Sequence, residues 1–172
     1  MRDDRLKWDA PASDPKVLAQ DGLHVTRVRP TRLTLISGVQ ARRASALPLI
    51  GWPDQVTSEQ FALCLRRDRI LEVGGPDRLP GWDAEAGLAI SEMTDGYAMF
   101  HLDGDRTLGL LKRGGVARPD QPSPSVVRLM FGMDVLLYCR GASGFGLCVP
   151  GPRAETLRSA LRAHLSQHGA EI

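Results

Sequence analysis

Hydrophobic and polar residues alternate along much of the chain, and this period of two predicts β-strands. The alternation first runs through residues 24–28 and 32–36. It returns at residues 61–65 and 70–73, and the polar residues between these two segments predict a β-hairpin. Five more such segments follow: residues 88–93, 97–102, 126–131, 135–139 and 145–149. The last three are joined by short turns and predict a three-stranded meander.

Three segments have helical features. Residues 39–47 predict a short helix that ends before Pro48. A second short helix is predicted to follow Asp103–Asp105 and to end at Gly114. Residues 153–167 place their apolar side chains at helical spacing: Ala154, Leu157, Leu161 and Leu165. The predicted fold is therefore α+β, with mostly antiparallel sheets, short helices and a C-terminal amphipathic helix.

The chain has 172 residues, a length that favours one domain. Residues 1–22 are rich in polar residues and proline, and they predict an extended N-terminal arm. Residues 23–172 then form the single α+β domain.

The domain shows signs of an internal repeat. Two pairs of short segments are similar: residues 33–38 and 99–104, and residues 70–76 and 146–152. In both pairs, a strand is followed by glycine, so we expect two ββαββ-type lobes formed by residues 23–85 and 86–168. Chance similarity between short β segments is the alternative.

The charge balance argues against a nucleic-acid partner. The chain has 22 Lys and Arg against 20 Asp and Glu, a net charge of +2, and acids interrupt almost every basic cluster. No apolar run approaches the ~20 residues of a membrane helix, so no membrane partner is expected. The charged N-terminus lacks the apolar segment of a secretory signal, which predicts a cytoplasmic protein.

Residue types that commonly form active sites do not group into a recognisable motif. Three cysteines lie in apolar runs and are expected to be buried thiols in a reducing compartment: Cys64, Cys139 and Cys148. His164 and His168 are four residues apart on the predicted C-terminal helix, without a third ligand nearby. The glycines of residues 141–146 are explained by a tight turn. We therefore expect no catalytic, cofactor-binding or metal-binding residue in this chain.

The three tryptophans are the candidate contacts with a partner protein. Trp52 and Trp82 lie in segments rich in proline and glycine, and Trp8 lies in the predicted arm. Tryptophan is enriched among residues that anchor interfaces, so all three are predicted interface residues. A place in the hydrophobic core is the alternative.

Several segments resemble the aminomethyltransferase-like superfamily, which includes the glycine-cleavage T-protein and subunits of heterotetrameric sarcosine oxidase. The recurring pattern of strand, Glu-Met-Thr, strand, glycine and short helix is found in residues 87–115. Residues 75–79 (GPDRL), 123–128 and 136–149, together with the C-terminal helix, are similar to the sarcosine oxidase γ subunit. The chain departs from that subunit at Arg78-Leu79, where Glu-Trp is usual.

The resemblance implies a non-catalytic γ-type subunit of a flavin-dependent N-methyl amine oxidase. Such a subunit would act as a scaffold for large α-type and β-type flavoprotein subunits, alongside a small δ-type subunit. The resemblance places FAD, FMN, NAD and tetrahydrofolate on the partner subunits and none in this chain. The complex would oxidise an N-methyl amine and pass the released one-carbon unit to tetrahydrofolate.

Two other functions remain open at this point. A folate-dependent aminomethyltransferase-like protein would share the fold, although members of that family are about twice as long. A stand-alone α+β binding module would need neither a partner nor a flavin.

Overall fold

The computed structural model describes residues 16–20, 22–115, 118, 120–141 and 143–166, which form thirteen strands and three α-helices. The strands of the first half are β1 (Lys16–Gln20), β2 (Leu23–Val28), β3 (Leu33–Ser37), β4 (Leu49–Ile50), β5 (Gln55–Val56), β6 (Phe61–Arg66), β7 (Arg69–Val73) and β8 (Gly81–Asp83). The others are β9 (Leu88–Glu92), β10 (Tyr97–Asp103), β11 (Val127–Met130), β12 (Met133–Arg140) and β13 (Gly144–Pro150). The helices are α1 (Ala41–Ala44), α2 (Thr107–Gly114) and α3 (Ala154–Ser166).

The strands form two sheets. Sheet 1 has the order β1-β2-β10-β13-β12-β11, and β5 also pairs with β12. Sheet 2 has the order β4-β6-β7-β3-β9-β8. All pairs are antiparallel except β5 with β12 and β4 with β6, which are parallel. The predicted α+β fold class is therefore confirmed.

The two sheets pack face to face around a shared hydrophobic core. Leu63 and Leu71 of sheet 2 and Met99 and Tyr138 of sheet 1 belong to this cluster, and all four are buried. Because side chains alternate along a strand, the remaining apolar residues of each sheet point to the outer faces. There α2 and α3 cover sheet 1, and α1 covers sheet 2. The result is four layers in the order helices, sheet, sheet, helix.

A second cluster of buried apolar residues lies between sheet 1 and its helices, and it explains why α3 forms where its periodicity predicts. Ala154, Leu157, Leu161 and Leu165 are all buried against sheet 1. Exposed residues such as Glu155 and Arg162 occupy the other side of the helix. Burying one leucine side chain contributes about 2 kcal/mol, so this stripe alone fixes α3 on the sheet.

Neighbouring strands in the sequence are divided between the sheets. The turn at residues 94–96 joins β9 of sheet 2 to β10 of sheet 1, so these two strands do not pair with each other. Likewise β2 lies beside β10 in sheet 1, while β3 lies beside β9 in sheet 2. Each sheet therefore takes strands from both halves of the sequence.

The central strands of the two sheets follow equivalent orders. The sequence β9-β3-β7-β6 in sheet 2 matches β2-β10-β13-β12 in sheet 1. In this correspondence β3 is equivalent to β10, and β7 to β13, which are the strands whose sequences are similar. The internal duplication stays a prediction, and the matching strand orders support it.

Several boundaries differ from the sequence-based prediction. Helix α1 spans Ala41–Ala44, four residues against the nine predicted. Part of the predicted arm, Lys16–Gln20, pairs with β2 as an edge strand of sheet 1. The short strands β4, β5 and β8 have two or three residues each, too few for a periodic signal.

Candidate partner interface

The most exposed aromatic side chain described is Trp82, on the short strand β8. Its side chain is 68% exposed, and its backbone pairs with Ala89 at one end of sheet 2. Leu79, three residues earlier, is 91% exposed. Together with Arg78, Pro80 and Ile90 these residues line a shallow groove of about 480 Å³. We call residues 78–83 with Ile90 the β8 surface.

The β8 surface is anchored by a buried ion pair. Glu72 is fully buried on β7, and its two carboxylate oxygens accept hydrogen bonds of 2.8 Å from Nε and Nη2 of Arg78. Nη2 of Arg78 also donates to the carbonyl oxygen of Ala44, at the end of α1, over 3.0 Å. A bidentate arrangement of this kind fixes geometry as well as charge. The segment that presents Leu79 and Trp82 is therefore held on the outer face of sheet 2.

Strand β8 also leaves one backbone edge unpaired in the described sheet, since it is the last strand of the order. An edge strand with exposed apolar side chains is a surface on which another chain can add a strand or pack. Asp83 limits the length of this edge, because its carboxylate accepts the backbone N–H groups of Glu85 and Ala86 and closes a turn.

Trp52, the second predicted interface residue, is 1% exposed and belongs to the hydrophobic core. Its indole N–H donates to the carbonyl oxygen of Arg118 over 2.7 Å, and its ring stacks on Phe145 with centroids 6.4 Å apart. The guanidinium of Arg128 lies 5.6 Å from the ring centroid. The prediction that Trp52 faces a partner is thus corrected in favour of the core alternative, because this chain's own residues cover the ring. Trp8 lies outside the described residues.

Two further large apolar side chains are exposed among the residues that the structure describes. Val39 is 87% exposed in the turn before α1, and Leu129 is 70% exposed on β11. Leu129 lines a groove of about 670 Å³ beside Arg118 and Arg128. Single exposed apolar residues are common on protein surfaces. Neither Val39 nor Leu129 offers the combination found at the β8 surface, which is two exposed apolar side chains together with an open strand edge.

A larger groove, which the sequence did not predict, lies between the two sheets. It has a volume of about 770 Å³, and its wall includes Val28, Val73, Met99, His101 and Arg140. We call it the inter-sheet groove. His101 is half-buried there, and burial together with the Arg140 charge lowers the pKa of its imidazole to about 4, although Asp103 acts in the opposite direction. The imidazole is therefore neutral near pH 7.

The burial of the cysteines agrees with the prediction from their apolar surroundings, completely for two of the three. Cys64 and Cys148 are buried and Cys139 is partly buried, and all three are free thiols. Burial raises the pKa of each thiol, so none is poised as a thiolate.

Within the described residues, no three His, Cys, Asp or Glu side chains come together in a way that could hold a metal ion. No helix in these ranges combines the length and apolar character needed to cross a membrane.

Comparison with known proteins finds a similar fold among solved structures. No protein-family model matches the chain, and no curated protein matches it in sequence. Among solved structures, the chain is similar to a chain of heterotetrameric sarcosine oxidase from Corynebacterium sp. U-96, determined in complex with pyrrole 2-carboxylate. The TM-score is 0.67 at 14% sequence identity, over 92% of this chain and 91% of that chain. The likeness shows a sarcosine oxidase-like fold over nearly the whole length of both chains.

Proposed function

We propose that this chain is a non-catalytic γ-type subunit of a sarcosine oxidase-like, flavin-dependent N-methyl amine oxidase. The observation that carries the proposal is the fold likeness to a chain of a heterotetrameric oxidase over 92% of the sequence. The sequence segments that resemble the γ subunit are independent support, because that resemblance lies in the residues and not in the fold. In the complex this chain would bury apolar surface against a larger subunit and hold it in position.

The β8 surface is the proposed contact with that larger subunit. Trp82 offers an exposed tryptophan, a residue type enriched in binding hot spots, and Leu79 adds exposed apolar surface on the same fixed segment. The ion pair of Arg78 with Glu72 would reduce the entropy lost on docking, because the segment is already ordered in the free chain. The open edge of β8 would add backbone hydrogen bonds at the rim.

The chemistry would belong to the partner subunits. Under this proposal large α-type and β-type subunits carry FAD, FMN and NAD, and bind tetrahydrofolate, while a small δ-type subunit completes the assembly. The substrate would be an N-methyl amine, whose released one-carbon unit passes to tetrahydrofolate. The present chain would supply no group to the reaction, and its effect on turnover would act through assembly.

Affinity purification of the chain from its source cells at natural expression levels tests the proposal. We expect larger chains to co-elute, together with flavin absorption in the visible range and oxidase activity toward N-methyl amines. A colourless chain that elutes alone would contradict the proposal and favour the stand-alone binding module. Tetrahydrofolate binding by the isolated chain would instead favour the aminomethyltransferase-like alternative.

A further inference from the structure

The inter-sheet groove is built from residues that are distant in sequence. The loop after β2 contributes Arg29, the loop after β5 contributes Glu59, β10 contributes His101, and the end of β12 contributes Arg140. Its volume of about 770 Å³ lies within the roughly 300–1,000 Å³ that small-molecule sites occupy. Space of this size between two packed sheets, lined by converging polar groups, is characteristic of a ligand site.

The floor of the groove is apolar. Val28, Val56, Val73 and Met99 line it, and all four also contact the core between the sheets. An apolar floor favours the hydrocarbon part of a ligand, because covering it removes that surface from water. The groove thus has an apolar base and a polar rim.

Arg140 supplies directional donors at one end of the groove. Within the described residues its guanidinium makes one hydrogen bond, from Nη1 to Asp103 Oδ1, and this bond is long at 3.4 Å. Gly144 lies between the two side chains, and a Cβ there would lie 2.7 Å from the Asp103 oxygen, so a glycine is needed for the pair to meet. A guanidinium has five N–H donors in a planar fork, which leaves donors of Arg140 for a second acceptor.

His101 adds a polar but uncharged group beside this guanidinium. His101 lies two residues after Met99 and therefore on the same face of β10, so its ring borders both the apolar floor and the polar rim. Because its imidazole is neutral near pH 7, it offers one donor and one acceptor and adds no charge. Arg29 and Glu59 stand at the rim as one exposed charge of each sign.

We propose that the inter-sheet groove binds a small organic carboxylate, with the carboxylate on Arg140 and the hydrocarbon part on the apolar floor. The guanidinium–carboxylate contact would be charge-assisted and bidentate, which gives it more strength than a neutral contact. Asp103 would compete with the ligand for the same guanidinium. This site is separate from the β8 surface and does not depend on the proposed oxidase complex.

An NMR titration of the full-length chain with naphthalene-2-carboxylate tests the site, with naphthalene-2-carboxamide as the matched neutral probe. We expect the acid to shift the signals of Met99, His101 and Arg140 in a saturable manner. The amide should bind about tenfold more weakly, because it cannot make the charge-assisted contact with the guanidinium. Equal affinities for the acid and the amide, or shifts confined to other parts of the chain, would overturn the proposal.

Two substitutions with opposite expected effects separate ligand binding from a structural role. Arg140→Gln should weaken binding of the acid about tenfold, and Asp103→Asn should tighten it, because the competing carboxylate is gone. Arg66→Gln, which removes an exposed arginine outside the groove, is the control and should leave the affinity unchanged. An unchanged affinity in Asp103→Asn would overturn the proposal, even if Arg140→Gln should fail to fold.

Discussion

The guanidinium of Arg78 lies on the carboxylate of Glu72, with both N–O distances at 2.8 Å and the carboxylate fully buried. This ion pair joins the core of sheet 2 to the segment that leads into β8. Arg78 and Leu79 stand where the γ-subunit turn that this segment resembles usually has Glu-Trp. The departure therefore has a structural consequence, because the arginine at this position reaches back to the core and fixes the exposed Leu79 beside it.

Removing Arg78 should destabilise the protein strongly. Arg78→Met leaves the Glu72 carboxylate buried without its partner, so we expect the free energy of unfolding to fall by about 3–5 kcal/mol. The double variant Glu72→Met/Arg78→Met should recover much of this loss, because it leaves no uncompensated charge. Urea unfolding followed by circular dichroism measures both effects.

The control for this prediction is the exposed ion pair between Arg66 and Asp68, which are 3.9 Å apart. Arg66→Met should change the free energy of unfolding by less than about 1 kcal/mol. If Arg78→Met were as mild as Arg66→Met, the buried pair would not be holding the β8 segment in place.

Gly146 on β13 should not tolerate a side chain. It pairs with Tyr138 across the sheet, and a Cβ at this position would overlap the Tyr138 ring. Since Tyr138 is fully buried between the sheets, the ring has no free space to move into, and Gly146→Ala should cost about 1–3 kcal/mol. Chemical denaturation provides the measurement.

A glycine with open surroundings provides the opposite expectation. Gly109 is exposed in α2, and its nearest neighbour for an added Cβ is the end of the Arg113 side chain at 3.9 Å. Gly109→Ala should therefore stabilise the protein by about 0.5–1 kcal/mol through helix propensity. A loss of stability in Gly109→Ala comparable to that in Gly146→Ala would contradict the packing argument.

The stability of the protein should fall as the pH is lowered from about 6.5 to about 4, and His101 should account for part of this change. Folding lowers the pKa of His101 from an ordinary value of 6.5 to about 4, so the unfolded chain binds more protons in this window. The contribution of His101 to the stability of the fold is therefore fully present above pH 6.5. It decreases as the pH falls toward about 4, where the imidazole of the folded protein becomes protonated. The charged groups acting on it are Arg140 and Asp103.

Thermal unfolding of the protein and of His101→Gln across this pH range provides the check. Glutamine does not titrate, so the variant should lose less stability between pH 6.5 and 4 than the unaltered protein. Parallel pH profiles for the two proteins would show that His101 ionises equally in the folded and unfolded states.

The regular elements were predictable because their side chains follow simple periods. The α3 stripe and the β6–β7 hairpin each carry a local pattern, and the structure reproduces them nearly to the residue. The division of β9 and β10 between two sheets was not predictable, since a three-residue turn between two strands usually indicates a hairpin. Strand pairing depends on residues distant in sequence, here β2 and β3.

The candidate interface was predictable only in part, for a related reason. Trp52 and Trp82 both stand beside glycine and proline, yet Phe145 and Arg118, far along the chain, cover only Trp52.

One local signal does point to the buried ion pair. Glu72 is the only charged residue between the apolar Ile70 and Val73, and a carboxylate at a strand position facing the core needs a buried partner.

The inter-sheet groove had no local signal, because His101 and Arg140 lie on different strands with ordinary sequence surroundings. Their proximity follows from the order of β10, β13 and β12 in sheet 1, together with glycine at positions 144 and 146 of the strand between them. A groove formed by strand order becomes visible only once the sheet is assembled.

The most direct test of the proposed function is the amount of flavin recovered per mole of this chain in affinity purification, compared between the unaltered chain and two surface variants. Trp82→Asp should reduce the recovered flavin at least tenfold, because losing a hot-spot side chain weakens binding by about 2 kcal/mol. Leu129→Asp, which also changes an exposed side chain, should leave the recovered flavin unchanged. Both variants should unfold at the same temperature as the unaltered chain, because neither side chain is buried. Absence of flavin with the unaltered chain would contradict the oxidase-subunit function, and equal flavin with Trp82→Asp would contradict docking through the β8 surface.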